Sequence, residues 1–263
     1  MAVIGVIRDR QYSPCSEEKD LAILKSVVDK LGGQLIEEAD LPACQELSGK
    51  GNIFLNMGRM PETIGFLKQK EDEGAMVINS AYGVEKCQRS RLEQLMREKH
   101  IPMPRRIGRD GWWVKRGDAA AQTPVDVVFC PTEATLEAAK QQFLSRGIDD
   151  IVIQAHVPGD VVKFYGVEGT SFFKYYYPGD DGESKFGDER HNGKPHHYFF
   201  QKEHLRATVE MLARLIQIPV YGGDAIITPE GEFKIIDFND WPSFSRCREE
   251  AAHAIVQYVM LNR

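Results

Sequence analysis

The segment GGDAIITPEGEFKIIDFNDWPSF, residues 222–244, decides how the rest of the chain is read. Two β-rich runs, AIIT and FKIID, flank PEGE, and Glu230-Gly231 suits a two-residue hairpin turn because glycine tolerates positive φ. A loop of that length sets Asp224 directly opposite Asp237, with Cα atoms about 4.5 to 5.5 Å apart. Two ionised carboxylates that close repel each other and call for a cation. Asn239, two residues beyond Asp237, projects from the same face and adds a neutral oxygen. Two carboxylates and an amide oxygen are hard donors suited to Mg²⁺, above all when phosphate oxygens complete its shell. A solvated hairpin with acidic ends is the competing reading.

Upstream, VVKFYGVEGTSFFKYYY (161–177) carries a second Glu-Gly turn at Glu168-Gly169. With a two-residue loop Lys163 faces Lys174, and like charges directly opposite are destabilising unless they share an anion. A nucleotide phosphate would serve; the alternative is that both side chains diverge into water.

The composition is that of an ordinary globular protein. The chain has 263 residues, 42% hydrophobic and 27% charged, so it holds two modest domains or one large one and has the signature of neither disorder nor a membrane class. No apolar run approaches the roughly 18–20 residues of a membrane helix, and MAVIGVIRDR reaches charge too early for a secretory signal, so a cytoplasmic protein without a membrane partner is expected. Cys15, Cys44, Cys87, Cys130 and Cys247 are scattered, with no CxxC pair, which argues against a disulfide framework or zinc ribbon. A net charge of -6 gives no reason to expect nucleic acid. The oligomeric state is open, a homodimer being compatible with the sequence.

Strand-like and helix-like stretches alternate, which reads as α/β. AVIGVI, QLIEEA, NIFLNM and AMVINS form a small parallel sheet with helices at 16–31 and 61–72, ending near residue 80. A helix over 84–99 then runs into IPMPRR, whose prolines stop it. Beyond lie GWWVKRGD, DVVF, a helix over 133–145 and DIVIQAHV. There is no GxxxxGK[ST] or GxGxxG pattern, so P-loop and Rossmann cofactor readings are weak.

From about Val77 onward these residues resemble the ATP-grasp superfamily, whose best-known fold is the ATP-binding domain of glutathione synthetase. The resemblance rests on VINS, KCQRSRLEQLM, IPMP, WWVKRGD, IVIQAHVPGD and the closing GGDAIIT…IIDFNDWPSF, taken in order and with the final acidic-x-Asn spacing. It implies an α/β protein in which two α+β subdomains grip the nucleotide behind a small parallel-sheet domain. On this chain that divides into an N-terminal domain (1–80), a helical linker (81–105), a lid subdomain (106–157) and a C-terminal subdomain with the metal site (158–263). The resemblance also implies that Arg89 and Lys115 contact ATP phosphates, and the reading of the second hairpin adds Lys174 to the nucleotide-binding residues. Gln154, Ala155, His156 and Val157 would line the adenine edge and Asp160 the ribose. Lys163 would meet the transferring phosphate, and Asp224, Asp237 and Asn239 would hold Mg²⁺, or Mn²⁺ in its place. Arg89 stands where the family usually has lysine and Asp237 where it usually has glutamate, and the loop RGDAAAQTP lacks a dense glycine run.

The resemblance implies an ATP-dependent ligase that makes an acyl phosphate from a carboxylate acceptor and joins it to an amine. A kinase of a small polyol or inositol phosphate is the alternative, faintly favoured by KFYGV and DFNDWPSF, and a nucleotide-binding module without turnover is the third reading. Arg8, Arg10 and Arg59 at the strand ends, with Arg246, Arg248, Ser243 and Ser245 after the metal strand, point to a small anionic acceptor, for which Arg248 is taken as the catalytic cation beside Lys163. His191, His196 and His197 lie in a polar loop over 178–198 that reads as a cover for the acceptor, not as a metal site, and Arg190 and Lys194 in it carry no assigned role. Cys15 reads as structural, and Trp112 and Trp113 as packing of the lid rather than a base-stacking platform.

Overall fold

The computed structural model describes residues 2–13, 16–44, 47, 50–119, 121, 123–181 and 191–263. Cys15 and Arg190 lie outside these residues.

The first sheet comprises β1 (Val3–Ile7), β2 (Gln34–Glu37), β3 (Ile53–Asn56) and β4 (Met76–Ile78), all parallel in the order β2-β1-β3-β4. All of β3 is buried, as a parallel strand covered on both faces must be. Two helices, α1 (Glu17–Leu31) and α2 (Pro61–Asp72), supply the crossovers. The helix expected over 84–99 is two helices, α3 (Ala81–Lys86) and α4 (Arg89–Glu98). Gln88 between them is extended at φ -54°, ψ 128°, which ends one helix, starts the next and makes Arg89 the first residue of α4.

The second sheet is antiparallel: β5 (Trp112–Arg116) lies between β6 (Val127–Cys130) and β7 (Ile151–Ala155), with α5 (Glu133–Ser145) packed on one face. Val114, Cys130, Ala139, Phe143 and Ile148 form its core, against which Trp112 packs. Because side chains alternate along a strand, Trp113 and Lys115 face the other way.

The third sheet, order β11-β10-β8-β9, is built from β8 (Asp160–Val167), β9 (Phe173–Tyr176), β10 (Val220–Ile227) and β11 (Phe233–Asp240). A short α6 (Pro178–Asp181) follows β9, and α7 (Lys202–Ile216) and α8 (Arg248–Asn262) complete the chain. Through α7, Leu205, Val209, Leu212 and Ile216 share a core with Phe164 and Phe238 of this sheet and Ile4, Val6 and Phe54 of the first. On the other side Ala251, Ala252, Ile255 and Val259 of α8 pack with Ile23, Leu24, Val27 and Val28 of α1. Asn79 fastens the two sheets: its carboxamide donates to the Val220 carbonyl (2.8 Å) and accepts from the Val220 amide (2.9 Å).

Candidate functional site

The opposition of Asp224 and Asp237 is present, but by a different route from the two-residue turn. Ile227 pairs with Phe233, and Thr228 and Glu232 close a three-residue loop in which Gly231 has φ 81°. That loop displaces the register by one, and a bulge at Ile236 restores it, so Asp224 and Asp237 again stand opposite each other. Gly223 beside them keeps the strands close: a Cβ there would lie 2.3 Å from the Asp237 carbonyl oxygen. Across β8, Lys163 is the other neighbour of Asp224, so Lys163, Asp224 and Asp237 form one row on one face of the sheet. Asn239 lies one step along, its amide nitrogen 3.2 Å from Asp237 Oδ2.

Cations converge on these oxygens from two other elements. Lys163 Nζ lies 2.8 Å from Asp224 Oδ1, and Arg89 Nη2 lies 3.7 Å from Asp237 Oδ1. The Arg89 guanidinium is also held by the Arg116 carbonyl at 2.6 Å. From the second sheet Lys115, buried, donates to the carbonyl of bulge residue Ile236 at 2.8 Å. The bulge thus sets the register of the carboxylates and also presents a carbonyl to the facing sheet. Burial would raise the Asp237 pKa, but Arg89, Lys115, the Asn239 amide and Lys163 more than offset it and hold the carboxyl below its ordinary range. Asp237 is therefore held in its charged form, Asp224 is ion-paired with Lys163, and the donor set of two carboxylates and an amide oxygen suits a hard divalent ion.

Lys174 does not face Lys163. Val167 and Phe172 close a four-residue loop, with Thr170 Oγ1 bonded to the Val167 carbonyl and the Phe172 amide, so Lys163 pairs with Tyr176 and Lys174 with Tyr165. The Lys174 ammonium sits 2.7 Å from Glu250 of α8, which raises its pKa. The anion expected between two opposed lysines is thus replaced by a carboxylate of the chain.

Asp160, expected near the ribose, is held by backbone amides. It lies an odd number of residues from Lys163, so it belongs to the opposite face, where its oxygens accept the His196 and Tyr198 amides at 2.7 and 2.9 Å. Of the hinge residues, Gln154 is buried at the end of β7, and the Ala155 and His156 amides bond to the Arg105 and Gly111 carbonyls. The Val157 carbonyl accepts from Asn192.

The strand-end arginines are largely consumed by acids. Arg10 is exposed and pairs with Glu17, while Arg8 pairs with Asp20 and lies 3.9 Å from Asp240, to which Arg59 also bonds. Asp240 was missed by sequence reasoning, as was Glu38, a buried carboxylate that accepts the Asp9, Arg59 and Met60 amides. Only their place beside the strand ends could have drawn attention to them. Arg246 lies over the Tyr176 ring at 5.3 Å. Arg248 opens α8, and its buried Nε has no hydrogen-bond partner among the described residues. His196 stacks on Tyr198 and His197 pairs with Asp180, and among the described residues no three His, Cys, Asp or Glu side chains are grouped to hold a metal. Trp112 packs as expected, but Trp113 lies on the cleft face against Phe129.

A parallel sheet followed by two antiparallel sheets that face each other across lysines and carboxylates is the ATP-grasp fold. The solved structures it resembles include D-alanyl-alanine synthetase A from Vibrio cholerae, with a TM-score of 0.66 and 11% identity over 99% of this chain and 98% of that one. A RimK domain ATP-grasp protein from Sphaerobacter thermophilus aligns at TM-score 0.62 and 14% identity, over 98% of this chain and 100% of that one. D-cycloserine synthetase DcsG aligns at 0.62 and 12%, over 98% and 100%. No protein-family model matches the sequence, and no curated protein matches it. No helix among the described residues is long and apolar enough to cross a membrane.

Proposed function

We propose that the protein is an ATP-dependent ligase: it phosphorylates the carboxylate of a small anionic acceptor and joins the resulting acyl phosphate to an amine, releasing ADP and phosphate. The observation that carries this reading is the row Lys163–Asp224–Asp237 with Asn239, faced by Arg89 and by Lys115 from the opposing sheet. Such a site needs little covalent chemistry, because phosphoryl transfer is accelerated by positioning and charge neutralisation. Structural neighbours of this chain include ligases, among them the ATP-grasp ligase PsnB complexed with Mg and ADP and a D-alanine–D-alanine ligase complexed with ATP.

In this reading Asp224, Asp237 and Asn239 hold Mg²⁺, or Mn²⁺ in its place, which when bound would neutralise phosphate charge. Lys115 and Arg89 bind phosphate oxygens, exchanging the Ile236 carbonyl and Asp237 for them. Lys163 holds charge at the transferring phosphoryl group. Arg248, with a buried donor that has no hydrogen-bond partner among the described residues and a place at the start of the helix that follows the metal strand, is the cation offered to the acceptor carboxylate, since Arg8 and Arg59 are drawn to Asp240.

The test is product release from Mg-ATP with pools of amino acids, small carboxylates and polyol phosphates, following ADP and free phosphate separately. Acceptor-dependent ADP with equal free phosphate supports the ligase. ADP without free phosphate would make the protein a kinase, and no acceptor-dependent ADP would leave a nucleotide-binding module.

A further inference from the structure

We infer that His191 is a base-stacking residue of the nucleotide site, an inference that rests on the ATP reading above. Lys115 and Trp113 lie two residues apart on the same face of β5, hence about 7 Å apart along the strand. Trp113 is the nearer to the hinge, because its neighbour Trp112 pairs with Ala155, the last residue of β7. A nucleotide with its phosphates at Lys115 and Lys163 and its base toward the hinge therefore lays that base over the rings around Trp113.

Four rings gather there. Phe129 stands opposite Trp113 in the sheet, their centroids 5.1 Å apart, and Trp113 Nε1 donates to His156 Nδ1 at 3.1 Å. The His191 ring centroid lies 4.5 Å from Phe129 and 5.4 Å from Trp113, while the residue as a whole is exposed. The chain that follows it is tied down: Asn192 donates to the Val157 and Gly159 carbonyls at 2.9 and 3.0 Å, and Asp160 holds the His196 and Tyr198 amides. A cavity of about 180 Å³ opens beside the cluster, with His156, His191, Asn192 and Tyr198 among its walls. An imidazole tilted at 40° on Phe129 and edge-on to Trp113, in a residue that is exposed, offers a base a flat partner, and stacking of this kind tolerates any base because every base has a π-face.

The experiment measures Kd for ATP and for GTP, and the kcat of acceptor-dependent turnover, in the full chain and in His191→Ala, His191→Phe and Trp113→Phe. His191→Ala is expected to raise both Kd values by about fivefold, or about 1 kcal/mol, with kcat within about twofold. His191→Phe, which keeps a flat ring, restores the affinity. Nucleotide is expected to quench tryptophan fluorescence in the parent chain and to quench it less in Trp113→Phe, where Trp112 and Trp241 remain. Unchanged Kd values in His191→Ala, or no rescue by phenylalanine, would overturn the role of His191 while leaving the ATP reading intact. A parent chain that binds neither ATP nor GTP would overturn the ATP reading itself, and this inference with it.

Discussion

Replacing Asp160 separates a ribose contact from a fastening role. Its side chain is 1% exposed, and its oxygens accept two amides, from His196 at 2.7 Å and Tyr198 at 2.9 Å. Alanine leaves both amides without their acceptor. Each buried donor so orphaned costs about 1–3 kcal/mol, and because His196 is exposed, water partly replaces the lost oxygen; the sum is about 2–4 kcal/mol. For a chain of this size each kcal/mol lowers Tm by about 2–4 °C, so a fall of about 4–16 °C is expected. Asp160→Asn keeps one carbonyl oxygen and should lose roughly half as much. Urea unfolding and thermal melts followed by circular dichroism give the stability, and hydrogen exchange of the 191–198 amides locates the loss. The ATP Kd should rise only as far as the His191 ring loses its support. If Asp160→Ala kept its stability within about 0.5 kcal/mol of the parent while the ATP Kd rose tenfold or more, the carboxylate would be a ribose ligand and the fastening argument would fail.

Other perturbations reach the site more directly. The folded pKa of Asp237 is depressed, so its stabilising contribution is complete above its unfolded value near about 4 and is lost as pH falls through the folded value. Asp237→Asn should therefore flatten the acid limb of the stability profile and lower Mg-ATP turnover by about 100-fold or more; a parent-like acid limb in urea titrations would refute the charge assignment. Lys163→Ala removes the partner of Asp224 at a half-exposed position, so stability should change by less than about 1 kcal/mol while kcat falls about 100- to 1,000-fold. Steady-state kinetics beside a thermal melt check that separation. Gly223→Ala forces a methyl group against the Asp237 carbonyl and the Phe164 ring, and should cost about 1–3 kcal/mol and weaken metal-dependent nucleotide binding together, as read by melts and calorimetry.

The candidate site was legible in part because two departures from the simple hairpin cancel. Period 2 puts Asp237 and Asn239 on one face of their strand, and Asp224 stands opposite Asp237 only because the residue added in the turn is offset by the bulge at Ile236. The same period sets Asp160, three residues from Lys163, on the opposite face of β8. Turn length itself is less legible: Thr170 widens the loop after β8, so Lys174 slips by two positions and meets Glu250, a residue 76 positions further on by the chain numbering. The helix break at Gln88 carries no glycine or proline signal, and it is what makes Arg89 the first residue of its helix beside the cleft.

By itself, then, the sequence determined the alternation of strands and helices, the presence of the two hairpins and the alternation of faces along each strand, because these follow from local backbone periodicity and turn chemistry. Only the tertiary structure decided which charges meet: Arg8 and Arg59 with Asp240, Arg89 with Asp237, Lys115 with the Ile236 carbonyl. These contacts join residues from different sheets and helices. Coulombic and hydrogen-bond energies depend on distances of a few ångströms, and those distances are set by how sheets and helices pack, which no local period encodes.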